Sequence, residues 1–442
     1  MKEKLKKIIL ILVIIISLAM IPITIYYANN HTELTNEFMK MHNELNTKYI
    51  IIITLSSIVF SLSLLYLTSK KGFYKNKDKL IVYILSNIVL TGFMTISSTY
   101  IANNYVLNNT KIENTEKDKV TLDKSNVITD TSINLNDYDT DITITNEGTY
   151  TLSGKLNHSV IVDSDGEVEL ILNNVEITTE KTATIIGLNG TKLIITLKEN
   201  TTNSLTDNGN SEYDGCIFSN IPLEFNGEGK LTVNGNQNEG EGIATEAQPI
   251  VFNGGTYIIT SNDDGINAGG DGNTITINDG VFYIDASGDG IDSNKNLVIN
   301  GGTIFVMGSD IGGDSGIDTD EGYIINGGTV IAIGTDMIEL PNENSQNTLA
   351  FTLNETIEKN TIISLMKDDE EIISFKPTKS FKTLIISSDE LNEFTYSLYK
   401  NSETTGSLEN GIYTKGEITK GELIKVSNTD EFTLTSNVTY YK

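Results

Sequence analysis

Residues 251–273 read "VFNGGTYIITSNDDGINAGGDGN". An Asn-Gly turn leads into an alternating, β-branched run and ends in an acidic, glycine-rich stretch around one isoleucine. Alone, the stretch "SNDDGINAGGDGN" has three readings: a loose acidic loop, half of a catalytic carboxylate pair, or a metal site. Its surroundings decide between them, because the pattern recurs. "VFNGGTYII" (251–259) is followed by "TINDGVFYI" (276–284), "VINGGTIFV" (298–306) and "IINGGTVIA" (324–332). The turn asparagines Asn253, Asn278, Asn300 and Asn326 are 25, 22 and 26 residues apart, and a weaker copy places Asn226 a further 27 upstream. A second motif follows each turn: "DGCI" (214–217), "EGIA" (241–244), "DGIN" (264–267), "DGID" (289–292), "SGID" (315–318) and a degenerate "DMIE" (336–339).

Short alternating segments separated by Gly and Asn, repeating at this period, predict a parallel β-helix whose coils stack about 4.8 Å apart. The leucine scaffold of a leucine-rich repeat is absent, and the apolar spacing does not suit helices. Strand side chains alternate between faces, so aligning the coils predicts the core. Leu231, Tyr257, Phe282, Ile304 and Val330 stack inward, as do Val233, Ile259, Ile284, Val306 and Ala332. Ile243, Ile266, Ile291, Ile317 and Ile338 form a third inward stack. The turn asparagines predict a hydrogen-bonded ladder, with a positive φ at the turn glycine. Between the first two stacks lies an outward stripe, Thr232, Ile258, Tyr283, Phe305 and Ile331. Tyr283 and Phe305 make this stripe a candidate sugar-stacking platform; the competing reading is that the C-terminal segment covers it.

The second motif stacks acids. Glu241, Asp264, Asp289 and Asp336 precede its glycine, with Ser315 intervening beside Asp314. Asn267, Asp292, Asp318 and Glu339 follow its isoleucine and are expected to point outward. Like charges about 5 Å apart cost roughly 3 kcal/mol each at an effective dielectric near 20. Residues 205–340 hold 22 acids against Lys230 and Lys295 alone. A hard divalent cation balances such a ladder, and calcium takes carboxylate, amide and carbonyl oxygens in a flexible shell. The candidate ligands are Asp263, Asp264, Asn267, Asp271, Asp289, Asp292, Asp314 and Asp318. Zinc and copper are disfavoured, since no histidine follows His158 and Cys216 is the one cysteine. The alternative is a solvated acidic face with loosely held ions.

Charge divides the 442-residue chain in two. Residues 1–119 carry 14 lysines and 8 acids; residues 120–442 carry 17 lysines and 51 acids. There is no arginine, and the net charge of -28 disfavours nucleic acid as a partner. The basic part contains three apolar runs, 8–28, 49–68 and 80–102, none with a charged residue. Each has about the 20 residues needed to cross a bilayer, predicting three transmembrane α-helices. Lysines in "MKEKLKK" and in the second loop (69–79) predict an inside N-terminus and an extracellular acidic part. A cleaved signal peptide is the alternative for the first run. Residues 103–125 read as a polar stalk, 126–340 as the β-helix, and 341–442 as a C-terminal β module capping or flanking its open end.

The repeats resemble the clostridial cell-surface carbohydrate-binding domain-containing proteins. The likeness lies in "VFNGGTYIITSNDDGINA" (251–268), "TINDGVFYIDASGDGIDS" (276–293) and "VINGGTIFVMGSDIGGDSGIDT" (298–319). Upstream "LILNNVEITTEKTATI" and "KLIITLKENTTNSLTD", and downstream "IISFKPTKSFKTLIISSDEL", extend it over about 135–442. The resemblance implies a right-handed parallel β-helix, calcium between coils, and non-catalytic binding of a polysaccharide such as polygalacturonate or cellulose. The three membrane spans depart from the simpler anchor expected of such proteins. Lyases and polygalacturonases share the fold class, so fold does not settle activity. A lyase needs a basic residue beside the uronate and cations against the developing charge. The repeats lack arginine, and the acidic pair 263–264 lacks the supporting histidine and basic clamp of a polygalacturonase. The expectation is therefore a membrane-anchored binder. The alternatives are an envelope adhesin stabilised by calcium and, third, a lyase or hydrolase.

Overall fold

Alternation of apolar and polar residues at period two, interrupted by Gly and Asn, gives short strands that bury one face and turn at fixed places. The computed structural model describes residues 117–270 and 273–442. The predicted spans 8–28, 49–68 and 80–102 lie outside the described residues. Among the described residues no helix is long and apolar enough to cross a membrane. Residues 116–442 form one compact unit.

The unit is an all-β, right-handed-type β-helix followed by a β module. Its first sheet has nine strands, all parallel, running from Val127–Ile128 through Gly215–Ser219 and Ile266–Gly269 to Ile317–Thr319. Each is one turn of the solenoid. The second sheet wraps the other faces. In several coils one long strand, such as Ile250–Ser261 or Thr274–Ala286, carries the chain around a corner. The corner coincides with register shifts on either side of Asn253. There the asparagine ladder forms: Asn253 donates to Asn226 at 2.9 Å, Asn278 to Asn253 at 2.7 Å, Asn300 to Asn278 at 2.8 Å and Asn326 to Asn300 at 2.8 Å. Glycine is required beside it. Gly302 has φ +91° and a Cβ there would sit 2.5 Å from the Gly280 carbonyl of the coil below.

The inward stacks hold in register. Leu231 pairs with Tyr257, Tyr257 with Phe282, Phe282 with Ile304 and Ile304 with Val330. All are essentially fully buried. The Tyr257 and Phe282 rings stack at 4.8 Å, and Phe225 on Phe252 at 4.7 Å. Ile243, Ile266, Ile291 and Ile317 form the third stack. Ile338, expected to extend it, is only half-buried and outside any strand, because the chain leaves the solenoid after Thr329–Gly334.

That last strand does not end the sheet. Phe381–Ser387 pairs antiparallel with it and with Thr348–Ile357, which in turn pairs parallel with Val438–Tyr441. The open edge, a liability in any solenoid, is thus satisfied by the module. The module also folds back over the flank. Phe305, Met307, Ile331 and Ile333 share one apolar cluster with Phe351, Phe375 and Phe381.

Candidate functional site

The first sheet points one column of side chains outward along its length. Its register runs Ile161, Ile186, Phe218, Ala244, Asn267, Asp292, Asp318. Halfway along, the column changes from apolar to acidic. In the apolar half a short segment of the chain lies on top. Leu122 packs on Ala183, Ile186, Phe218 and Ala244, and Lys124 pairs with Asp163 at 2.9 Å. Residues 117–125, expected as part of a free stalk, are therefore docked on the domain. In the acidic half Asn267, Asp292 and Asp318 are only half-buried.

The turn acids stack beside that column. The Asp289 N–H donates to Asp264 Oδ1 at 2.7 Å, and the Ser315 N–H donates to Asp289 Oδ1 at 2.5 Å. Each carboxylate thus caps the backbone of the next coil with its Oδ1. The Asn267 amide bridges two of them, donating to Glu241 at 2.5 Å and to Asp264 Oδ2 at 3.3 Å. Its own carbonyl oxygen is buried and has no hydrogen-bond partner, and neither has Glu339 Oε2. Orphaned buried oxygens of this kind are rare in folded proteins.

Burial first, and the neighbouring charges second, raise the carboxyl groups of several of these acids above their ordinary range. Asp264 is pushed up to about 9 by burial, then by the charges of Asp263 and Glu241. Asp289 rises to about 7 through burial and Asp314, despite the Ser315 N–H. Asp292 rises to about 6 through burial and the neighbouring Asp318. Burial and Asp214 hold Glu241 well above the usual carboxylate range, and burial and Glu239 raise Asp263. The structure thus gathers Asp263, Asp264, Asn267, Asp289, Asp292, Asp314 and Asp318 into one electrostatic patch. Asp271 lies outside the described residues. Asp336, on the degenerate coil, is exposed and adjoins Gly312 instead. Asp214 and Glu239 join the patch from the two preceding coils. The "DGCI" motif marks Asp214, but nothing local marks Glu239 or the Lys117 that reaches them.

Calcium is tested by this donor set. Among the described residues no three His, Cys, Asp or Glu side chains form a metal-holding group. An ion here would need amide or backbone carbonyl oxygens beside carboxylates from neighbouring coils. The orphaned Asn267 Oδ1 and the second oxygens of Asp264 and Asp289 are of that kind, and hard cations accept such mixed shells. The residues fit an ion shared between coils better than one held within a coil.

The aromatic platform is corrected. Phe305 is fully buried, in edge contact with Phe375 of the C-terminal module at 5.6 Å. Tyr283 is half-buried against Phe305, its hydroxyl 3.2 Å from Thr378 of the same module. Lys379 locks that contact by pairing with Asp285 at 3.0 Å. The module takes the stripe as its own docking surface, because a run of apolar side chains on a solenoid flank is what an antiparallel β layer needs to bury.

A protein from Acetivibrio thermocellus, "Carbohydrate-binding domain-containing protein", is 32% identical over 152 residues. The match covers 32% of this chain and 52% of that protein, so the chain spans about half the length of the curated relative it matches. A solved structure, "Structure of the polysaccharide lyase-like protein from C. thermocellum, Gadolinium derivative", aligns with 27% identity over 41% of this chain and 82% of that one. Its TM-score of 0.36 is too low to bear on fold or activity here. A family model of the microsomal signal peptidase 25 kDa subunit matches residues 28–175, overlapping the first coils. The family model for carbohydrate-binding domain-containing proteins matches residues 138–396, more than half of the sequence and nearly the whole solenoid. The chain belongs to the carbohydrate-binding domain-containing protein family.

Proposed function

We propose that the chain is a membrane-anchored, extracellular, non-catalytic binder that holds polysaccharide at the acidic half of the first sheet through calcium. The observation that carries this reading is the unbalanced acid column beside the orphaned Asn267 oxygen. Carboxyl groups raised by burial and by one another's charge favour the ionised form once a divalent cation supplies the missing positive charge. Asp263, Asp264, Asn267, Asp289, Asp292, Asp314 and Asp318 are the residues that would hold it. An ion shared between this face and sugar carboxylates lets an acidic protein retain an acidic glycan such as polygalacturonate. Cellulose, which has no carboxylate, would need the aromatic platform, of which Phe305 is buried under the module and Tyr283 is half-buried.

Non-catalysis is supported by the surroundings of the acids. No arginine exists in the chain, and the lysine that reaches the patch, Lys117, is engaged by Asp214 at 2.6 Å. Membrane anchoring is supported by the three apolar runs before residue 103.

The test is calorimetric titration of the full chain, in mild detergent, with calcium, followed by incubation with polygalacturonate. Saturable calcium binding with no release of unsaturated or shortened uronates is expected. Release of either product would replace the binder with an enzyme. Calcium binding without retention of any glycan would favour an envelope adhesin in which the ion only stabilises the fold.

A further inference from the structure

We propose that residues 117–125 are a latch: Lys117 occupies the entrance of the acidic ladder as an internal cation, and divalent ions exchange with it and release the segment. The inference rests on the reading that the ladder takes such ions. The Lys117 ammonium sits 2.6 Å from Asp214 Oδ2 and donates to the Glu239 carbonyl at 3.2 Å. Its charge also acts on Glu241 and Asp263. A carboxylate and a backbone carbonyl are oxygens that a hard divalent cation uses, and such an ion brings twice the charge to them. Ammonium and ion therefore compete for the negative charge at the entrance of the ladder, where Lys117 acts on Asp263, one of the residues that would hold the ion.

The rest of the latch is weak enough to let go. Asp118 makes a single parallel bridge to Ser211. Leu122 is the one apolar side chain that the segment sets against the apolar half of the column, beside Leu188 and Tyr213 of the solenoid, and Lys124 pairs with a half-buried Asp163. The Lys117–Asp214 pair is itself about a quarter exposed, at 26% and 29%, and pairs of this kind are readily screened. The latch lies directly after the segment that carries the predicted membrane spans. Its release would lengthen the tether of the binding domain by about nine residues, roughly 30 Å when extended.

The experiment follows hydrogen exchange of amides 118–126 in the full chain in detergent, while calcium is titrated and its binding read by calorimetry. Exchange of these amides is expected to rise over the same calcium range as the binding heat. Lys117→Gln and Leu122→Asp are each expected to tighten calcium binding about fivefold or more, and Lys117→Arg to leave it near wild type. Calcium binding with unchanged or increased protection of the segment would overturn the latch and leave the ion reading standing, as would unchanged affinity in both weakening variants. Absence of any binding heat would overturn the two together.

Discussion

Two halves of one column face outward from the same sheet and have opposite fates. Ile161, Ile186, Phe218 and Ala244 are buried, the later three beneath Leu122. Asn267, Asp292 and Asp318 continue the same register and stay half-open. Backbone and pairing are alike in both halves, so the fold does not make the site. The difference is what the outward position carries. Apolar side chains there recruit a strap, whereas the stacked acids are met at their boundary by a lysine, Lys117.

The comparison breaks most visibly if the halves are exchanged chemically. Ile186→Asp places an unpaired charge beneath Leu122 and is expected to cost about 3–5 kcal/mol in urea denaturation. A chain as stable as wild type would mean that the strap is not a real cover. The converse change, Asp292→Val, extends the apolar character into the open half. It removes a repelling charge and an ion ligand together. Calcium affinity is expected to fall about tenfold or more, while the melting temperature in chelator rises.

pH sharpens the contrast next. Asp292, Asp289 and Asp264 are raised to about 6, 7 and 9. Their folded-state values exceed the unfolded value of about 3.9, so the folded chain holds more protons between those limits. Their contribution to stability is fully present below pH about 4 and is lost as pH rises through about 6 to 9. In chelator the melting temperature should therefore fall by several degrees from pH 5 to pH 9. Saturating calcium, which favours the charged acids, should flatten or reverse that slope. The smallest expected effect lies on the other flank. Tyr283→Ala loosens the docked module by about 1–2 kcal/mol and changes glycan affinity by less than about twofold. A large loss of glycan binding in this variant would restore the aromatic stripe as a platform.

The solenoid was legible because each coil repeats a local rule. Asn at the corner, Gly beside it and an inward isoleucine each recur at a fixed spacing, and local alternation sets the face. The acid ladder was legible for the same reason. Cover was harder to read, since it depends on contacts far apart in sequence. Leu122 meets Phe218 and Lys117 meets Asp214 across nearly a hundred residues, with no periodicity in 117–125 to announce a partner. One signal was nevertheless present. "VIV" (160–162) and "CIF" (216–218) are apolar on both strand faces, as strands buried on both sides are, whereas "INA", "IDS" and "IDT" alternate. The first group requires a cover and the second does not. The burial of Phe305 had the same origin: Phe375 and Phe381 reach it from a module whose strands pair antiparallel and follow no repeat.

The most direct measurement is the affinity of the full chain for polygalacturonate and for a neutral β-glucan, each with calcium and with chelator. Calcium held by the acidic half predicts retention of polygalacturonate in calcium, its loss in chelator, and no comparable dependence for the neutral glycan. Binding of polygalacturonate that survives chelation would contradict the account.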